Sequence, residues 1–164
     1  MAPEFTSFAK PWRGGLMQDD LWRHACKLYA QPGVEAACLA AQAAGANVCL
    51  VLCAHWLERR GVAWTAARAE ALARIAQPWA ETVVAPLRTL RQQWKPGATQ
   101  DETLKALRNM VKSLELDAER ALLERLQAAA CCWPAHPGRG AGWLDWALPQ
   151  SQTSAALKAA LAQG

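Results

Sequence analysis

Tyrosine occurs once and phenylalanine twice in these 164 residues, and β-branched residues are few. Sheets draw on aromatic and β-branched side chains, so this composition disfavours a β fold. The six cysteines contain no C-x-x-C pair, which removes the zinc-ribbon and thioredoxin-like readings. No apolar run reaches the ~18 residues of a membrane-spanning helix. The N-terminus has no apolar core of a secretory signal. Gly-Arg-Gly-Ala-Gly at 138–142 lacks both the preceding strand and the following Lys-Ser/Thr of a phosphate loop. No helix carries a two-His or Glu-x-x-His metal pattern. None of the three histidines lies in a nucleophile–base signature. The expectations from these absences are no catalytic residue, no metal, no cofactor, no membrane partner and a cytoplasmic location.

What is abundant is helical. Hydrophobic residues make up 52% of the chain, dominated by Ala and Leu, which favour helices. Leu21, Ala25, Leu28 and Tyr29 recur at helical spacing behind Asp19 or Asp20, either of which can cap a first helix. Pro32-Gly33 breaks that helix, with Pro32 suited to the first turn of the next. Asn47 caps a third helix that is apolar on several sides and therefore central. It ends at Glu58-Arg59-Arg60-Gly61, where Gly61 suits the left-handed residue after a helix and the arginines suit its negative end. Thr65 caps a helix to about Ala76, and Pro78 stops it. A further helix to Trp94 is kinked by Pro86. Thr99 and Glu102 read as a capping box. They open a long helix near 100–131 whose Leu104, Leu107, Val111, Leu114, Ala118 and Ala121 step in heptad fashion. The fold class expected is all-α, a bundle of about five to six helices. Trp22, Trp56, Trp79 and Trp94 are expected in its core.

The stretch Leu21 to Leu39 reads L-W-x-x-A-x-x-L-Y-A-x-P-G-V-E-A-A-C-L. With Val48 to Leu52, Trp56-Leu57, Trp79, Val83-Val84 and Pro86-Leu87-Arg88, Leu90-Arg91 and Lys95, it resembles an uncharacterised bacterial domain-of-unknown-function family of short helical proteins. The resemblance covers roughly residues 18–95. It departs at Asn47 and Cys49, where acidic and amide residues are expected. The family has no assigned activity, so the resemblance implies no site residues.

Domain boundaries are expected as an extension over 1–17, with Met17 an alternative start, a helical domain over 18–133, and a loose tail over 134–164. The tail is rich in Pro, Gly, Ser and Gln, and carries an apolar island around Trp143, Leu144, Trp146 and Leu148. Three groups of residues are candidates for function. Arg88, Arg91 and Lys95 form one basic helix stripe suited to anions. His24, Glu35 and His55 are candidates for a pocket between helices. Trp143 and Trp146 are candidates for docking a partner, because large aromatic side chains in a mobile tail are costly to leave in water. A lone Glu35 near a helix start also has an ordinary structural reading through the helix dipole. The six cysteines read as small apolar core residues, with neither metal nor disulfide expected.

The function expected from these features is a non-enzymatic protein-interaction or adaptor domain whose partner is another protein. Homo-oligomerisation through the long helix is a variant of it. Two alternatives stand beside it. One is a nucleic-acid or ribonucleoprotein-associated module using the basic stripe. The other is a small-ligand binder or enzyme with a Trp-lined pocket between helices.

Overall fold

The computed structural model describes residues 20–148 and 152–162. The readings of residues 1–17 and of Asp19 as a cap lie outside these. The fold is all-α. Its helices are α1 (Leu21–Tyr29), α2 (Val34–Ala43), α3 (Val48–Arg59), α4 (Ala66–Trp79), α5 (Ala85–Gln93), α6 (Glu102–Ala130), α7 (Trp143–Ala147) and α8 (Gln152–Leu161). This exceeds the expected number because the tail contributes α7 and α8. Among the described residues there is no strand, only an isolated antiparallel bridge between Val62 and Ala135. No described helix is long and apolar enough to cross a membrane.

The chain divides into two compact units. Among the described residues, the first takes 20–64, 133–148 and 152–162, and the second 65–132.

In the first unit, Asp20 caps α1 by accepting the Trp22 N–H at 2.9 Å. Gly33, at φ +82°, is the residue before α2, so Pro32 sits in the turn rather than in the helix. Asn47 accepts the Leu50 N–H and caps α3. Residues 49 and 51–57 of α3 are all buried. A helix apolar on every side must be covered on every side, and α1, α2 and α7 all pack on it.

The cover over α7 and α8 corrects the expectation of a loose tail. Residues 134–142 do lack regular structure, yet they are pinned. His136 donates its N–H to the Gly61 carbonyl at 2.9 Å. A Cβ on Gly61 would lie 2.1 Å from the His136 oxygen, and one on Gly140 would lie 2.2 Å from the Glu58 oxygen. Only glycine allows this approach of loop to α3. Glu58 Oε1 then accepts the Leu144 N–H at 3.0 Å, satisfying a donor in the first turn of α7. α8 packs on α2, burying Ser154, Leu157 and Leu161. The glycine-rich segment that reads as a flexible linker is there for close packing.

The second unit is an antiparallel helical hairpin. Thr65 caps α4 by accepting the Arg68 N–H. Pro78 does not stop this helix, which runs through it to Trp79. A π-helical stretch, Ala80–Val84, follows, and α5 begins directly after it. Pro86, at the start of α5, has no N–H, and its ring crowds the carbonyl four residues back. The Ala85 N–H bonds to the Ala80 carbonyl, five residues back. The wider π turn thus takes up the misfit that was expected as a kink. Gly97–Thr99 form one 3-10 turn. The cap of α6 is Asp101, which accepts the Leu104 N–H at 3.0 Å. Thr99 instead donates its hydroxyl to the Pro96 carbonyl, so the expected capping box is not formed.

At 29 residues, α6 is ~44 Å long, and it lies along α4 and α5. Its buried positions are Glu115, Ala118, Leu122, Leu123, Leu126 and Ala130. Leu107 and Leu114 of the heptad stripe are exposed. The stripe drifts because a straight helix turns every 3.6 residues rather than 3.5. Of the four core tryptophans expected, Trp56 is fully buried, whereas Trp22, Trp79 and Trp94 are half-buried. Trp79 donates its ring N–H to the Ala118 carbonyl at 2.9 Å and carries the Arg125 guanidinium 3.6 Å above its ring.

Candidate anion-binding pocket

Two of the three pocket candidates meet. His24 and Lys27 are three residues apart on α1, and His55 and Arg59 four apart on α3, so each pair shares a helix face. Packing of α1 on α3 brings the faces together. His24 Nε2 lies 2.9 Å from His55 Nδ1, and the rings stack with centroids 5.1 Å apart. A cavity of about 350 Å³ opens beside them, bounded also by Lys27, Leu28, Gln31, Trp56, Arg59 and Arg60. The Arg60 guanidinium lies 4.4 Å over the Trp56 ring. Glu35 is not part of this lining. It sits on α2 near Cys38, whose thiol burial pushes up to about 11 against a hydrogen bond from Tyr29, with the Glu35 charge adding to the rise.

The protons of the histidine pair follow from its partners. Burial holds the His55 ring neutral by lowering its pKa, and the Arg59 charge acts in the same direction. A bond to the Leu161 backbone opposes them. A bond that favours the protonated ring ends on an acceptor, here the carbonyl. His24 Nε2 and His55 Nδ1 face each other, and one donates to the other. The hydrogen bond and the ring stacking position both imidazoles. The positive charge of the pocket comes from Lys27, Arg59 and Arg60. Among the described residues, no carboxylate lines it.

The other candidates are placed differently. Arg88 and Arg91 of the basic stripe face α6. Arg88 Nε donates to Glu115 at 2.9 Å and its terminal nitrogen to Glu119 at 2.7 Å. Arg91 Nε donates to the second Glu115 oxygen at 2.5 Å. Glu115 is 6% exposed. These arginines close the hairpin, and Lys95 is left exposed beside them. An anion would have to displace two carboxylates already in place. Burial raises the Glu119 pKa against the opposing Arg88 charge.

Trp143 does not await a partner. It is fully buried, donates its ring N–H to the Val62 carbonyl at 2.7 Å, and stacks on Trp133 with centroids 5.8 Å apart. Trp146 is half-buried with its edge to Trp143. The docking role expected for Trp143 is overturned by this intramolecular site. The cost of leaving the Trp143 ring in water is relieved within the chain.

Sequence reasoning missed Lys27, Trp56, Arg59 and Arg60 as pocket residues. The shared helix faces of His24 with Lys27 and of His55 with Arg59 were the available signal. What was hidden is that α1 and α3 pack those faces together. Among the described residues, no group of three or more His, Cys, Asp or Glu is placed to hold a metal ion.

A family model described as "Protein of unknown function (DUF2390)" matches residues 20–126, a span that includes α1 and α3. No curated protein and no solved structure matches the chain.

Proposed function

The chain belongs to this family of proteins of unknown function, and we propose that it binds a small, compact anion of phosphate or carboxylate type in the pocket between α1 and α3. The observation that carries this reading is a cavity of about 350 Å³ lined by Lys27, Arg59 and Arg60, with no carboxylate among the described residues that bound it. That size falls within the range of small-molecule sites. Guanidinium groups supply paired donors for planar oxyanions, and the lysine adds a mobile charge. The His24–His55 pair supplies a fixed polar wall. Pyrophosphate and citrate, titrated calorimetrically, test the two anion classes. Saturable binding of one of them that weakens with salt and is lost in Lys27→Gln/Arg59→Gln is the expected outcome. Both substituted residues are exposed, so the melting temperature should hold. No saturable heat from either anion at millimolar concentration refutes the reading.

A second reading, protein interaction, is favoured by one observation. Leu107, Met110 and Leu114 lie on one face of α6 and are 44%, 68% and 54% exposed. A second copy of the chain is the first partner to test. Concentration-dependent sedimentation that disappears in Met110→Lys supports it, and a monomer throughout rejects self-association.

A further inference from the structure

The six cysteines are not equivalent. Cys38, Cys49 and Cys53 are buried, Cys26 is half-covered, and Cys131 and Cys132 are exposed. Burial alone pushes the Cys53 thiol up to about 12, which leaves it inert. At the end of α6 the two exposed thiols lie side by side, with their sulfurs 3.4 Å apart. Cys131 Sγ is also 3.2 Å from the Ala128 carbonyl, which fixes its direction. Neither the pocket nor the hairpin packing uses this pair.

The separation decides what the pair can hold. A disulfide needs sulfurs about 2.05 Å apart and Cα atoms at least about 4.4 Å apart. Adjacent residues across a trans peptide are held at about 3.8 Å. Closing this pair directly would therefore strain the backbone. A bridging atom removes that strain. With sulfur bonds of about 2.3 Å, a right angle at the central atom spans about 3.3 Å, close to what is seen. A linear two-coordinate ion would need about 4.6 Å from the same bond length. A tetrahedral centre would need further ligands, and among the described residues no group of three or more His, Cys, Asp or Glu is placed to hold an ion.

The geometry points to Cys131–Cys132 as a chelating site for a pyramidal, thiophilic centre of the trivalent arsenic class. The reaction is a condensation. An arsenic(III) oxide R–As=O takes both thiols, two As–S bonds form, the two thiol protons leave with the oxygen as water, and no atom is oxidised or reduced. The two thiols help each other along this path. The separation of 3.4 Å keeps one sulfur within reach once the other has bonded to the arsenic. The second bond then closes within one molecule, where the effective concentration of Cys132 is high.

Phenylarsine oxide is the probe, used on the full chain in a large excess of a monothiol such as glutathione. Intact-mass measurement should show one phenylarsenic adduct per chain, formed with loss of water. It should resist the monothiol and be removed by a dithiol such as dimercaptopropanol. Cys131→Ser and Cys132→Ser should each weaken retention by about 10²-fold or more, the scale of a lost second attachment. Cys26→Ser should leave it unchanged. Both exposed positions tolerate serine sterically, and an unchanged melting curve confirms that the variants are folded. Retention that survives in Cys132→Ser, or an adduct stripped from the wild type by the monothiol, overturns the assignment.

Discussion

Replacing Trp143 separates a tail that belongs to the core from one that waits for a partner. An indole buries about 150–250 Å², which at about 25 cal/mol per Å² is worth about 4–6 kcal/mol as an upper bound. Measured Trp→Ala changes in cores fall at about 3–5 kcal/mol, because the remaining cavity relaxes only in part. Trp143 is fully buried against Trp133 and Trp146, so Trp143→Ala should fall in that range. Trp143→Phe isolates the polar contribution. It keeps a ring in the stack but removes the donor to the Val62 carbonyl, and Val62 is itself fully buried. Leaving that carbonyl without its indole donor should cost about 1–3 kcal/mol. Trp146→Ala, at a half-buried site, should cost about 1 kcal/mol. Because the chain has two units, the readout should report on the first one alone. Amide exchange in Val51–Leu57 of α3 does this. A loss of 3–5 kcal/mol appears there as exchange faster by about 10²–10³-fold or more. If Trp143→Ala leaves α3 protection within a factor of about 5, a loss under ~1 kcal/mol, the tail is not part of that core.

Glu115→Ala should destabilise the hairpin by about 2 kcal/mol in urea, because it removes the carboxylate that Arg91 donates to and leaves Arg88 with Glu119 in its place, in a partly buried site; partial solvent access to the arginines keeps the loss below that of a fully buried pair. Gly61→Ala should cost more than Gly33→Ala. Both have positive φ, for which alanine pays about 1–2 kcal/mol, but only Gly61 would also drive a Cβ into the His136 carbonyl, and thermal melts of the two variants give the comparison. The first unit should lose stability on acidification. His55 has its pKa lowered in the folded state, so below about 6.5 the unfolded chain takes up a proton that the native chain refuses. The stabilisation is full above that pH and declines as pH falls toward the folded value. A pH series of urea midpoints should therefore be flatter between pH 7.5 and pH 5 in His55→Gln than in the wild type.

Much of the helical scaffold was legible because its signals are local. Asp20, Asn47 and Thr65 cap the helices they precede, and Gly61 follows α3 in the left-handed region. These depend on a few neighbouring residues and on backbone donors that must find partners. The misreadings arose where distant chain segments decide. Pro78 reads as a stop, but Trp79 is anchored by the Ala118 carbonyl and the helix continues. Thr99 and Asp101 both precede the same apolar run, and the 3-10 turn decides between them. Arg88 and Arg91 share a face of α5, with Lys95 beyond its end, but the glutamates that meet the two arginines lie 24–31 residues away in sequence. The pocket was half legible: two histidines were named, while the cations beside them read as ordinary helix-end charges.

The first unit is built from both ends of the described chain, with the hairpin spliced between residues 64 and 133. This order imposes a schedule during synthesis. α3, apolar on all sides, emerges long before α7 and α8 exist to cover it. About 100 further residues must be translated before Leu161 arrives, a wait of about 5–20 s at ordinary elongation rates. The hairpin can complete its internal packing in that interval, because α4, α5 and α6 are all made by residue 130 and pack on one another. The nascent first unit cannot, and it carries an exposed greasy helix through the whole delay. The aggregation-exposed stage in making this fold is therefore the interval between the synthesis of α3 and the arrival of α7 and α8 to cover it and α2.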